Sequence, residues 1–102
     1  MSESKQQWTP GPWTICASSR MTRYVEGRAP SGLIQEVAAC GPTEAWEQQE
    51  ANAKLIAAAP ELVEALSELL ATLERHMPGM GANAKPGTPV AKARAALAKA
   101  GA

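Results

Sequence analysis

Residues 51–73, Ala-Asn-Ala-Lys-Leu-Ile-Ala-Ala-Ala-Pro-Glu-Leu-Val-Glu-Ala-Leu-Ser-Glu-Leu-Leu-Ala-Thr-Leu, constrain the fold more than any other stretch. Pro60 divides the run into two helical pieces. In the second piece Leu62, Val63, Leu66, Leu69, Leu70 and Leu73 follow one another at helical steps and share one broad face. Burying each side chain contributes about 1.5–3 kcal/mol before the entropy of ordering is subtracted. Replacing Leu66 or Leu69 by alanine is therefore expected to cost about 2–5 kcal/mol. So wide an apolar arc needs cover on more than one side. Leu62, Leu66, Leu69 and Leu73 are the expected contact with another copy of the chain, most simply across a two-fold axis.

The first forty residues offer strands. Trp8-Thr-Pro-Gly-Pro-Trp13 is a rigid turn between two indoles, because Pro10 and Pro12 fix φ and Gly11 permits reversal. Alternation from Trp13 to Ala17 predicts one short strand, and Met21 to Glu26 a second containing Tyr24 and Val25. Gly27 to Gly32 reads as a loop by composition. Leu33 to Ala39 makes a third strand, with Leu33, Gln35, Val37 and Ala39 on one face. Hairpin connections give an antiparallel meander, which requires a helix across it.

Gly41-Pro42 ends the sheet, and Thr43 is the expected N-cap of a helix running to about Ala58. On it Trp46, Ala53, Ile56 and Ala57 form the inner side, while Glu47, Glu50 and Lys54 face water. Asn52 is placed at the inner edge. Pro60 suits the start of the next helix, and Arg75-His76 suit its end, where cations oppose the dipole. Residues 78–89 are a flexible linker. Thr88-Pro89 opens a last helix whose stripe of Val90, Ala93, Leu97 and Ala100 packs on Leu66–Leu73 of its own chain or of a neighbour. The fold class is therefore α+β: a three-stranded antiparallel meander, a helical hairpin and a C-terminal helix. Residues 1–7 are expected to be disordered, 8–77 to form the core and 90–102 to pack on it.

A chain of 102 residues rich in alanine and poor in aromatics buries little area on its own, which also argues for a homo-oligomer. Net charge is zero but uneven. The middle carries seven glutamates against Lys54 and Arg75, whereas residues 76–102 carry Lys85, Lys92, Arg94 and Lys99 and no acid. No face is strongly basic, so nucleic acid is not an expected partner. The polar start lacks an apolar run, and no stretch approaches the length of a membrane span. A cytoplasmic location and no membrane association are the expectations. Cys16 and Cys40 read as small thiols in a reducing compartment; they lie near the ends of two strands.

No residue set makes a catalytic signature. His76 reads as a helix-end cation, and it lacks zinc-site spacing with the cysteines. No phosphate loop or nucleophile elbow is present, so no enzyme activity, metal or cofactor is expected. Asn52 could present an amide to a ligand. Arg20, Arg23 and Arg28 surround Tyr24 in sequence and could hold a phosphate-bearing or acidic partner.

Thr9-Pro-Gly-Pro-Trp13 and Glu50-Ala-Asn-Ala-Lys-Leu-Ile-Ala-Ala-Ala-Pro-Glu-Leu-Val-Glu-Ala-Leu66, with Ala93-Arg-Ala-Ala-Leu-Ala-Lys99 near the end, resemble a family of small proteins from tailed phages and prophages. The resemblance implies an accessory gene of phage origin. The layout of a small sheet followed by helices is also similar to the Thoeris anti-defence sponges, phage oligomers that sequester cyclic nucleotide signals. Two functions follow as expectations. One is a non-enzymatic counter-defence inhibitor that binds a host defence protein. The other is an oligomeric sponge for a small nucleotide messenger.

Overall fold

A computed structural model describes residues 7–16, 22–77 and 85–102. The polar start, Arg20 and most of the proline–glycine linker lie outside the described residues. In chain order the elements are β1 (Thr14–Cys16), β2 (Arg23–Arg28), β3 (Ile34–Cys40), α1 (Trp46–Ala57), α2 (Ala59–His76) and α3 (Pro89–Lys99). The α+β class is as the residue pattern indicates. The three strands form one antiparallel sheet in the order β1-β2-β3. Two compact units divide the chain, one spanning Trp8–Glu61 and the other built on Leu62–Ala102. The break thus falls inside the stretch expected to be one core.

In the first unit α1 packs on all three strands. Val25 and Ala53 are fully buried, Cys40 nearly so, and Trp13, Val37, Ala38, Ile56 and Ala57 close around them. The sheet is thus covered by a helix whose fully buried contact residue, Ala53, is small. Register sets the rows: Ile15 opposite Val25 opposite Ala38, and Thr14 opposite Glu26 opposite Glu36. Between these rows β3 carries one residue more than β2, a bulge that leaves Val37 outside the pairing. The bulge corrects the face assignment for β3. Val37, Ala38 and Cys40 pack inward, while Leu33, Gln35 and Ala39 are exposed.

The loop expected at Gly27 begins later, because β2 continues through Gly27 and Arg28. The reversal is made at Gly32, whose φ of 94° is a left-handed conformation that favours glycine. Its amide donates to the Ala29 carbonyl at 2.8 Å. Helix α1 starts at Trp46 rather than after Thr43. The Thr43 hydroxyl donates to the Ala45 carbonyl at 2.7 Å and caps no helical amide. Cys16 and Cys40 are not neighbours. They sit on strands separated by β2, about 10 Å apart at ordinary strand spacing, beyond disulfide reach.

The second unit is helical. Along α2, Leu70 is buried and Val63, Leu66 and Leu73 are half-buried, but Leu62 and Leu69 are 53% and 58% exposed. Leu69 therefore is not a core residue of this helical unit among the described residues, and the cost expected for its loss does not follow from packing within the unit. Helix α3 lies beside α2: Leu70, Ala71 and Glu74 line one cleft with Arg94, Leu97 and Ala98, and the Arg94 guanidinium pairs with the Glu74 carboxylate. The start of α3 is as the sequence indicates. Pro89 opens it, and the Thr88 hydroxyl accepts from the Ala91 amide at 3.3 Å. Thr88→Ala removes that acceptor and should lower the stability of α3 by about 0.5–2 kcal/mol. Faster amide exchange confined to Ala91 and its neighbours is the readout.

Candidate functional site

The side chains singled out in the sequence do not converge. Arg23 and Tyr24 are successive residues of β2 and point to opposite faces. Arg23 lies on the α1 side, where its guanidinium stands 3.2 Å from a Glu50 carboxylate oxygen and 4.9 Å from the centre of the Trp46 ring. This places Glu50 in an ion pair rather than simply in water. The pairing leaves the Arg23 side chain 15% exposed, its positive charge opposed by Glu50 and its plane set against an aromatic face. Tyr24 is half-buried on the other side of the sheet.

Arg28 shares that side with Tyr24, but four residues along an extended strand separate them by about 13 Å. Its guanidinium donates to the Gly32 carbonyl at 2.8 Å and so closes the β2–β3 turn. Asn52 is exposed, which corrects its placement at the inner edge of α1. The inward residues are Gln49, Ala53 and Ile56, at i, i+4 and i+7, and Asn52 falls on the flank of that row. Arg20 lies outside the described residues.

Sequence reasoning missed Gln49. It is 4% exposed, and its side-chain Nε2 has no hydrogen-bond partner. The signal was available, since stepping one turn back from Ala53 along the apolar row arrives at Gln49. A buried amide nitrogen without an acceptor costs about 1–3 kcal/mol. Gln49→Met keeps the length and removes the cost, so it should raise stability by about 1 kcal/mol in urea unfolding.

The face of the sheet opposite α1 carries Thr14, Tyr24, Glu26, Arg28, Ile34 and Glu36, a mixed row of charge and apolar surface. At one end of it a cleft of about 260 Å³ is bordered by Gly11, Pro12, Thr14, Glu26, Arg28 and Ile34. Leu33 and Ile34, next to this cleft, are 71% and 60% exposed. The Trp8–Trp13 turn fixes the edge of the cleft. The Trp13 indole donates to the Thr9 carbonyl at 2.9 Å and lies over Gly27, while the Thr9 hydroxyl donates to the Gln35 side-chain oxygen at 3.0 Å. Gly11 in turn abuts Pro60, where a Cβ would come within 2.8 Å of the proline ring. The proline–glycine turn is thus a structural corner rather than a display of aromatics.

Among the described residues no group of three or more His, Cys, Asp and Glu side chains is arranged to hold a metal ion. No helix among them is long and apolar enough to cross a membrane. What the first unit presents outward is an apolar turn beside a charged sheet face.

No curated protein and no solved structure matches the chain. The model of a family described as Salmonella phage P22 protein Y8K6 matches residues 1–102, and the chain belongs to that family of phage proteins.

Proposed function

We propose that this phage protein is a non-enzymatic accessory factor that binds a host defence protein and blocks it. The observation that carries the reading is the exposed pair Leu33 and Ile34, 71% and 60% open to solvent beside a charged sheet face. Apolar side chains held out at a closed turn and rimmed by Glu26, Arg28 and Glu36 suit contact with a protein surface. The polar residues that a small anionic messenger would need are spread apart. Arg23 is engaged with Glu50 and Trp46, Arg28 closes a turn, and Asn52 is exposed on a helix flank.

The reading is tested with tagged protein and host lysate. The wild-type chain should retain a defence protein and inhibit it when the two are purified and mixed. Leu33→Asp combined with Ile34→Asp should lose both properties while melting at the parental temperature. Undiminished inhibition by the double variant would reject the surface. The sponge alternative has its own readout. A cyclic nucleotide at 100 times its dissociation constant adds about 2.7 kcal/mol to stability, so a clear thermal shift with any member of a panel would replace the inhibitor by a sponge.

A further inference from the structure

The sheet face opposite α1 sets two carboxylates against each other. Glu26 and Glu36 are register partners on β2 and β3, and both alternate away from Val25 and the core around it. Directly opposed residues of an antiparallel pair keep their Cβ atoms about 5 Å apart, so like charges there repel. Among the described residues the ion pairs are Arg23–Glu50 and Arg94–Glu74, and neither Glu26 nor Glu36 has a cation or a hydrogen-bond donor beside it. Arg28, two residues along β2, is turned to the Gly32 carbonyl. The cleft bordered by Thr14, Glu26, Arg28 and Ile34 opens beside this pair, and every residue around it belongs to the Trp8–Glu61 unit.

We infer that this acid pair receives an arginine side chain of the bound protein, an inference that rests on the Leu33–Ile34 turn being a protein-binding surface. Charge selects the occupant. A guanidinium is a planar fork of donors that reaches both carboxylates at once, and its arrival turns their mutual repulsion into attraction to a shared cation. The methylene stem behind it has apolar surface to lie on at Ile34, which is 60% exposed. An apolar neighbour of that arginine in the partner then meets Leu33. A metal ion fits less well. Calcium takes about six to eight oxygens, and among the described residues no third ligating side chain joins the pair.

The probe is a blocked tripeptide of arginine between two leucines, compared with the same peptide carrying citrulline, which keeps the shape and loses the charge. In NMR titrations of the isotope-labelled full chain, the arginine peptide should move the amide signals of Glu26, Ile34 and Glu36 to saturation. The citrulline peptide should bind about tenfold more weakly or worse, for want of the charge-assisted contacts. Glu26→Gln combined with Glu36→Gln should lower arginine-peptide affinity to the citrulline level. That variant should unfold in urea at or above the parental midpoint, because the like charges are gone. Equal binding of the two peptides, no saturable shift, or full affinity in the double variant would overturn the inference. So would displacement of the arginine peptide by millimolar calcium chloride, which would assign the pair to a metal ion. The titration uses no host protein, so its failure is distinct from that of the inhibition assay. Peptide binding without inhibition rejects the inhibitor alone; inhibition lost with Leu33→Asp and Ile34→Asp but kept by the double glutamine variant rejects the arginine alone.

Discussion

Val25→Asp should unfold the Trp8–Glu61 unit. Val25 has no exposed surface, and around it are Cys40, Ala53 and the flanking apolar groups of the sheet and α1. An aspartate there would lose the contacts of the valine and leave a carboxylate with no cation in that apolar cluster. Such a change costs about 4 kcal/mol or more, which approaches the whole stability of a small unit. Trp8, Trp13 and Trp46 all belong to this unit, so tryptophan emission should shift to that of a solvated indole under conditions where the parent is folded. Leu33→Asp is the matched control: at 71% exposure it should change stability by no more than about 0.5 kcal/mol. A folded Val25→Asp chain would mean that the core lies elsewhere.

The second large effect is expected at Gly27. A Cβ there would lie 2.8 Å from Cδ1 of Trp13 and 2.9 Å from Cγ2 of Thr9. Neither neighbour can give way freely. The indole is held by its bond to the Thr9 carbonyl and by packing on the core, and Thr9 is tied to Gln35. Gly27→Val should therefore cost about 3 kcal/mol, from overpacking and from loss of the indole hydrogen bond. Gly27→Ala should cost less, about 1–2 kcal/mol. A double-mutant cycle isolates the contact: in a Trp13→Ala background, urea unfolding should show the Gly27→Ala penalty largely removed. An unchanged penalty would place the strain in the backbone and not against the indole.

The elements were legible because each rests on a local signal. Period-two alternation marked the strands, Pro60 marked the joint between α1 and α2, and Thr88-Pro89 marked the start of α3. What the residues did not reveal was the partner of each apolar face. The leucine-rich α2 offered the greatest apolar area, yet α1 supplies the helical core residue, Ala53, against the sheet. Leucine counts area, whereas close approach to a strand depends on small side chains, and no periodicity ranks the two. The face assignment of β3 failed for a similar reason. Alternation is read along one strand, and the bulge exists only in the relation between two.

The phage origin was within reach of the sequence, through short stretches that look like one family. The candidate ligand set was not. Arg23 and Tyr24 adjoin in the chain and are divided by the sheet; Arg23 and Glu50 are 27 positions apart and meet. Proximity along a strand says little about proximity on a surface, and the gathering of polar groups is decided by register and by which helix covers which face. Gln49 shows the converse: its row was readable, but its amide type argued against an inward place.

The bulge in β3 also bears on how such a protein can vary. Val37 is the residue of β3 that stands outside the pairing, between Ala38 opposite Val25 and Glu36 opposite Glu26. A residue lost there would leave every other side chain of the strand on its present face. A residue gained or lost elsewhere in β3 would turn part of the strand over, bringing Glu36 toward the core or taking Cys40 out of it. Descendants of this gene that differ in the length of the strand should therefore differ at Val37.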